Sequence, residues 1–242
     1  MGGIFGFTLL NGHKMTKVSI HTLITELLRS QVSPVKEIHL MAMTDAHAHI
    51  ITSNMSVARF VATKDYVEFL DKVWKDKRVY SFLGAFKDDK NSSGIVDTEN
   101  PMAIHGNAIC VQKEAGFTEV TSGGDVVAEI LDRYNFSLDI TSRIRAAAKD
   151  VKIYAGVNTG FPSTLLLAKH TADPLKMAMF ARYGVFIFSS IDRSIDKVLD
   201  KLLLGKKEDV DMFAQQSFLL CMNSNKYRVM NTYSGQMNYA IN

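Results

Sequence analysis

The first ten residues constrain the fold more than any other segment of this chain. They read MGGIFGFTLL, an apolar run that contains three glycines. Such a run is typical of a buried strand, and glycines within a strand allow neighbouring groups to approach the backbone closely. We therefore predict that Gly2 to Phe7 forms a buried strand in the centre of a sheet.

Length and composition indicate an ordinary globular protein. The chain has 242 residues, 47% of them hydrophobic and 22% charged, with a net charge of +3. This charge does not indicate nucleic-acid binding. No run approaches the roughly 18 consecutive apolar residues of a membrane span, and the first residues lack the regions of a signal peptide. Two cysteines do not make a disulfide framework. We expect a cytoplasmic protein that does not associate with membranes.

Hydrophobic periodicity predicts helices and strands that do not alternate steadily. Helices are predicted from Thr16 to just before Pro34 and over 65–76, 125–134, 138–149 and 191–204. Strands are predicted over 1–10, 38–62, 80–86, 103–112, 151–158, 163–168 and 184–189, with a hairpin over 218–233. A parallel doubly wound sheet requires regular alternation. The pattern therefore favours an α+β domain or a layered sandwich.

Two polar segments are predicted to lack regular structure. Residues 87–100 read KDDKNSSGIVDTEN, which indicates a long loop, and loops of this length are usually functional or mobile. The residues from Ser234 onward look like a polar tail. We therefore predict a single domain over 1–233 followed by a tail over 234–242.

The opening Gly2-Gly3-Ile4-Phe5-Gly6 resembles the start of the class II glutamine amidotransferases. These belong to the N-terminal-nucleophile (Ntn) hydrolases and typically open with Met-Cys-Gly-Ile-Phe-Gly. Removal of Met exposes the Cys, whose thiol attacks the amide of glutamine while the freed α-amine serves as base. Gly2 stands in the place of this thiol and offers no side-chain nucleophile.

Further motifs resemble the family in the same order along the chain, each with a change. The segment Gly84-Ala85-Phe86-Lys87 has lysine where the family has the arginine that grips the glutamine carboxylate. Lysine supplies a point charge without the bidentate fork of arginine. The family's oxyanion-hole segment, His-Asn-Gly, is similar to His105-Gly106-Asn107, with asparagine and glycine in swapped order. The swap moves the side-chain donor to the other face of a strand.

The later motifs also resemble those of the family. Gly123-Gly124-Asp125 keeps the aspartate that holds the glutamine amine but loses the glutamate of the family motif. The apolar segment 186–188, two serines and a following helix resemble the family's last motif. The resemblance thus implies Lys87, His105 and Asp125 as substrate-binding residues, and Gly106 and Asn107 as a degenerate oxyanion hole.

The resemblance implies an Ntn-hydrolase-type α/β/β/α sandwich of two stacked, mainly antiparallel sheets flanked by helices. The implied protein is a catalytically inactive amidotransferase relative that binds a protein partner or assembles with itself and needs no cofactor. Short, drifted versions of the family resemble those of bacteriophage genomes, so we expect a place in the host cytoplasm or in a virion.

Two alternatives remain open. In the first, the protein is an active amidotransferase or glutaminase that binds free glutamine and whose cysteine was replaced at position 2. In the second, Asp45, His47 and His49 ligate a metal in a metal-dependent hydrolase, because period two along a strand would place all three on one face.

Overall fold

The computed structural model describes residues 3–30, 36–87, 93–98, 107–113, 151–158, 162–169, 171–172, 174–191, 194–231 and 235–240. The helices in these residues are α1 (Lys17–Arg29), α2 (Val57–Phe60), α3 (Lys64–Val73) and α4 (Ser194–Leu202). The strands are β1 (Gly3–Leu9), β2 (Glu37–Thr44), β3 (Ala48–Ser53), β4 (Val79–Lys87), β5 (Ser93–Thr98), β6 (Asn107–Lys113), β7 (Val151–Asn158), β8 (Thr164–Lys169), β9 (Lys176–Phe180), β10 (Val185–Ser189), β11 (Glu208–Val210), β12 (Gln216–Cys221), β13 (Lys226–Asn231) and β14 (Gly235–Ala240).

The strands form two sheets of seven strands each, and every pairing is antiparallel. Sheet 1 has the order β11-β9-β10-β1-β4-β2-β3, and sheet 2 has the order β14-β13-β12-β8-β7-β6-β5. The first strand of the chain, β1, is therefore the central strand of sheet 1. This position confirms the prediction of a buried, central opening strand.

Two apolar cores lie on the two faces of sheet 1, because side chains alternate along each strand. Phe5 and Phe7 point toward helices α1 to α4, with Leu23 and Phe69 in the same core. Ile4 belongs to the second core, which lies between the sheets. The rings of Phe186 in sheet 1 and Phe218 in sheet 2 stack there with centroids 5.0 Å apart. The described residues thus form layers of helices, sheet 1 and sheet 2.

Helix α1 follows the sequence prediction closely. The Thr16 hydroxyl accepts a hydrogen bond from Ser19 N at 3.1 Å and so caps the first turn. The apolar stripe is buried against sheet 1 and includes Ile20, Leu23, Ile24, Leu27 and Leu28. Among the described residues, no helix has the length and apolarity needed to cross a bilayer.

Most predicted strands are confirmed, and three assignments are corrected. The segment 38–62 contains two strands but ends in helix α2, which is too short for helical periodicity to show. The predicted loop over 87–100 contains strand β5, and the predicted tail contains strand β14. These two strands pair with β6 and β13. Both are edge strands, and the polar residues in their sequences hide the strand pattern.

Some elements were missed or lie outside the described residues. Strand β9 and the three-residue strand β11 were not predicted. Strand β9 follows a proline and reads KMAMF, in which methionine and alanine give little strand signal. The predicted helices over 125–134 and 138–149 lie outside the described residues.

Candidate functional site

The start of β1 lies between the ends of two neighbouring strands. Gly3 is opposite Phe86 of β4, and Lys87 ends that strand opposite Glu37. On the other side, Ser190 follows the last residue of β10 and extends the pairing. Its backbone N donates to Ile4 O at 2.9 Å, and its Oγ accepts from Ile4 N at 2.9 Å. One serine therefore holds the start of the central strand through both its backbone and its side chain.

The packing around Gly3 leaves little room for a side chain. A Cβ on Gly3 would lie 2.7 Å from Ser190 Oγ and 3.0 Å from Ile191 Cγ1. Both separations are shorter than ordinary van der Waals contact. Packing therefore explains why Gly3 is a glycine, without reference to catalysis.

Sheet 2 contacts the central strands of sheet 1 through β5 and β6, which both contact β1 and β4. Asn107 is the first residue of β6 and is opposite Thr98 of β5 and Asn158 of β7. The backbones of Lys87 and Asn107 are thus placed on strands of facing sheets. Their side chains, and the whole of Gly2, His105, Gly106 and Asp125, lie outside the described residues. The roles assigned to these six residues stay predictions.

Known proteins resemble this chain in fold and not in sequence. No protein-family model matches it, and no curated protein matches its sequence. Among solved structures, glutamine phosphoribosylpyrophosphate (PRPP) amidotransferase from B. subtilis, complexed with ADP and GMP, matches with a TM-score of 0.54 and 10% identity. This chain shares its fold with glutamine PRPP amidotransferase. A structure described as the allosteric regulatory enzyme of purine biosynthesis matches with a TM-score of 0.56 and 9% identity.

The likeness covers 99% of this chain and 49% of each of these two chains. This chain therefore spans about half the length of the two solved chains that it matches. The predicted Ntn-hydrolase-type fold, an α+β fold with two antiparallel sheets, is confirmed. At 9–10% identity the amidotransferase likeness shows the fold alone.

A second group of side chains, which could ligate a metal ion, lies at the β2–β3 turn. His47 and His49 lie beside Asp76, which is in the loop between α3 and β4. The Oδ2 atom of Asp76 is 2.8 Å from His49 Nε2 and 3.5 Å from His47 Nδ1. The side chains of Asp76 and His49 are 13% and 18% exposed, whereas that of His47 is 67% exposed. The cluster is therefore buried on one side and open to solvent on the other.

Thr44 organises this cluster. Its hydroxyl lies 2.5 Å from Asp76 Oδ2 and accepts from His47 N at 2.9 Å. The hydrogen bonds from Thr44 and then from His49 hold the pKa of Asp76 below its ordinary value. The Asp76 carboxylate is thus fixed in orientation by a buried hydroxyl.

Asp45 has a different partner from the one the sequence suggests. The prediction of one strand through Asp45, His47 and His49 is wrong, because β2 ends at Thr44 and β3 begins at Ala48. Asp45 Oδ1 accepts from Arg78 N at 3.2 Å, and Asp45 N donates to Arg78 O at 2.9 Å. These bonds tie the turn to the loop that carries Asp76.

An open groove of about 520 Å³ borders the cluster between β3 and α3. His49 belongs to both the groove and the cluster. The other residues that line the groove are Ala48, Ile50, Ile51, Thr52, Asp65, Glu68, Phe69 and Lys72. Two carboxylates and an ammonium group thus share the groove with His49.

Sequence reasoning missed Asp76 and the groove. Asp76 follows His49 by 27 residues and has no motif around it, since it reads Lys75-Asp76-Lys77. Its place beside the histidines depends on the packing of α3 against β3 and on the pairing of the turn with Arg78. No short-range pattern carries that information.

Proposed function

We propose that this chain is a catalytically inactive relative of the class II glutamine amidotransferases that works as a protein-binding or structural component. One observation carries the proposal. Strand β1 holds the central position of the amidotransferase fold, and the residue before its first residue, Gly3, is Gly2. In the family that the opening motif resembles, this place supplies the thiol. Nucleophilic catalysis needs such a group, and glycine has none.

The other substitutions support the same conclusion. Lys87 ends β4 where the family motif has arginine, and Asn107 begins β6 in a segment with swapped order. A substrate clamp and an oxyanion hole depend on directed donors. A retained fold with four changed site positions is expected to serve as a scaffold, because function resides in sites and not in folds.

A binding role is supported by the sheet edges. Among the described strands, β5 is the last strand of sheet 2, and it lies in the segment predicted to carry function. An edge strand presents backbone donors and acceptors with which another chain can pair. We propose a protein partner or a second copy of this chain, in a virion or assembly role. The proposal requires no cofactor, nucleic acid or membrane.

Glutamine hydrolysis tests the inactive half of this proposal. We expect the purified protein to release no glutamate from glutamine above a blank without protein. Gly2→Cys, with removal of Met confirmed by mass spectrometry, is expected to stay at least about 100-fold below an ordinary class II enzyme, since one lost oxyanion donor costs that much. Gly2→Ala provides the control without a nucleophile.

A rate for Gly2→Cys near that of an ordinary enzyme would contradict the proposal and favour an active amidotransferase whose cysteine was replaced. The unmodified gene sequence at codon 2 then separates a natural glycine from an engineered one. The structural half is tested by light scattering of the untagged chain and by mass spectrometry of purified assemblies. A chain that stays monomeric and is absent from every assembly would contradict that half.

A further inference from the structure

We propose that His47, His49 and Asp76 form a binding site for a divalent transition metal of the zinc type at the β2–β3 turn. The three residues offer two imidazole nitrogens and one carboxylate oxygen, all within 4.8 Å of one another. Zinc is commonly bound by this combination of ligands, whereas Mg²⁺ and Ca²⁺ prefer oxygen alone. This proposal does not depend on the amidotransferase likeness.

The three ligand atoms lie within 4.8 Å of one another, so side-chain rotation can bring them around one tetrahedral ion. Metal–ligand bonds of about 2.0–2.1 Å place ligand atoms about 3.3 Å apart. His47 Nδ1 already lies 3.5 Å from Asp76 Oδ2, and His49 Nε2 lies 2.8 Å from it. The shorter separation is a hydrogen bond, which a metal would replace by taking the place of the shared proton.

The site is held in place by groups that are not ligands themselves. The Thr44 side chain is buried and binds Asp76 Oδ2 through its hydroxyl, so the carboxylate keeps one orientation. Partners of this kind commonly orient metal ligands and raise the affinity of the site. The pair of bonds between Asp45 and Arg78 fixes the turn against the loop of Asp76. The ligands are therefore brought together by the fold before any ion arrives.

Three protein ligands leave at least one coordination position free. His47 is 67% exposed, so solvent can reach an ion bound at its ring. In zinc sites an open fourth position holds water or an exchangeable ligand, while sites closed by four protein ligands serve structure. We therefore infer a site whose fourth ligand is exchangeable water.

Two aspartate variants give a matched test, because the sequence pattern points to Asp45 and the structure to Asp76. Asp45→Asn keeps the oxygen that accepts from Arg78 N, and Asp76→Asn keeps an oxygen that can accept from Thr44. Binding of Zn²⁺ to the full chain is measured by calorimetry, and binding of Co²⁺ by its visible absorption, with Mg²⁺ as the comparison ion. His21→Ala removes an exposed histidine of α1 and serves as the control.

We expect the unchanged chain, Asp45→Asn and His21→Ala to bind one Zn²⁺ per chain, with no competition from Mg²⁺. Asp76→Asn and the exposed-residue variant His47→Ala should each weaken binding by about 100-fold, because the first replaces an anionic ligand by a neutral amide and the second removes a ligand. Circular dichroism confirms that each variant folds. The proposal would be overturned if the unchanged chain bound Zn²⁺ no more tightly than folded His47→Ala does. It would also be overturned if Asp45→Asn lost binding and Asp76→Asn did not.

Discussion

The ring of Phe5 in β1 occupies the space that a side chain on Gly84 in β4 would need. The two residues are opposite each other in the register of the central strands. A Cβ on Gly84 would overlap the Cζ, Cε1 and Cε2 atoms of the ring. The same ring stacks on Phe86 with centroids 5.0 Å apart, so it has little freedom to move away. Gly84 begins one of the motifs that resemble the amidotransferases, and its role in this fold is to admit an aromatic core residue.

We expect Gly84→Ala to lower the free energy of unfolding by about 1–3 kcal/mol or more, as forced overpacking does. Urea denaturation measures this change. Phe5→Leu should relieve the overlap, so the double variant should lose less stability than the two single variants added together. Strict additivity of the two changes would contradict this account of Gly84.

Ser190→Ala should destabilise the start of β1. The variant leaves Ile4 N without the Ser190 hydroxyl as acceptor. A lost hydrogen bond of this kind costs about 1 kcal/mol. Chemical denaturation gives the size of the loss, and hydrogen exchange at Ile4 shows where it occurs. Ser190→Thr, which keeps a hydroxyl, is the control. If Ile4 N exchanges as fast in Ser190→Thr as in Ser190→Ala, the loss of the hydroxyl is not the cause.

His13 gives the fold a pH dependence of stability. Burial, and to a lesser extent the charge of Arg78, lowers the pKa of His13 below 6.5. The folded state therefore binds this proton less readily than the unfolded state does. The contribution of neutral His13 to the unfolding free energy is fully present above about pH 6.5. It is lost as the pH falls from there through the lowered pKa of the folded state.

The variant His13→Gln, which cannot titrate, isolates this contribution. When the pH is lowered from about 7.5 to about 5, we expect the unfolding free energy of the unchanged chain to fall more than that of His13→Gln. Urea denaturation at both values measures the difference, and His21→Gln provides a histidine control on the surface. A difference that stays constant with pH would contradict a lowered pKa for His13.

Removal of residues 234–242 should destabilise the protein, because these residues contain β14. Each residue of β14 is opposite a residue of β13, from Gly235 with Asn231 to Ala240 with Lys226. The truncated chain would expose β13 as an edge and become prone to aggregation. A lower Tm is expected, by about 2–4 °C for each kcal/mol lost. Removal of 241–242 alone is the control, and an unchanged Tm after the longer truncation would favour the predicted polar tail.

The interior of the fold could be predicted from sequence better than its edges. The opening strand, the capped helix α1 and the hairpin of β12 and β13 carry strong local signals, namely continuous apolar residues, a Thr16 cap and an Asn-Ser-Asn turn. The edge strands β5 and β14 mix polar and apolar residues and lack a long apolar run. Their pairing is set by long-range register, which local periodicity does not contain.

Some residues of the candidate site can be identified from sequence and others cannot. His47 and His49 were identified because they are two residues apart in sequence. Asp76 could not be identified, because its distance from His49 results from tertiary packing and from the Asp45–Arg78 bonds. Period two along a strand does not extend to Asp45, because the chain leaves β2 at Thr44 and turns.

The antiparallel pairing of β1 with β10 has a consequence for folding on the ribosome. Leu9 and Val185 are opposite each other, so the two strands meet only after the roughly 175 residues between them have been synthesised. At about 5–20 residues per second, this interval is on the order of 10–40 s. During that time one edge of an apolar strand has no native partner, and such edges promote aggregation. The yield of correctly folded protein should therefore depend on translation speed and on chaperones that shield the nascent chain.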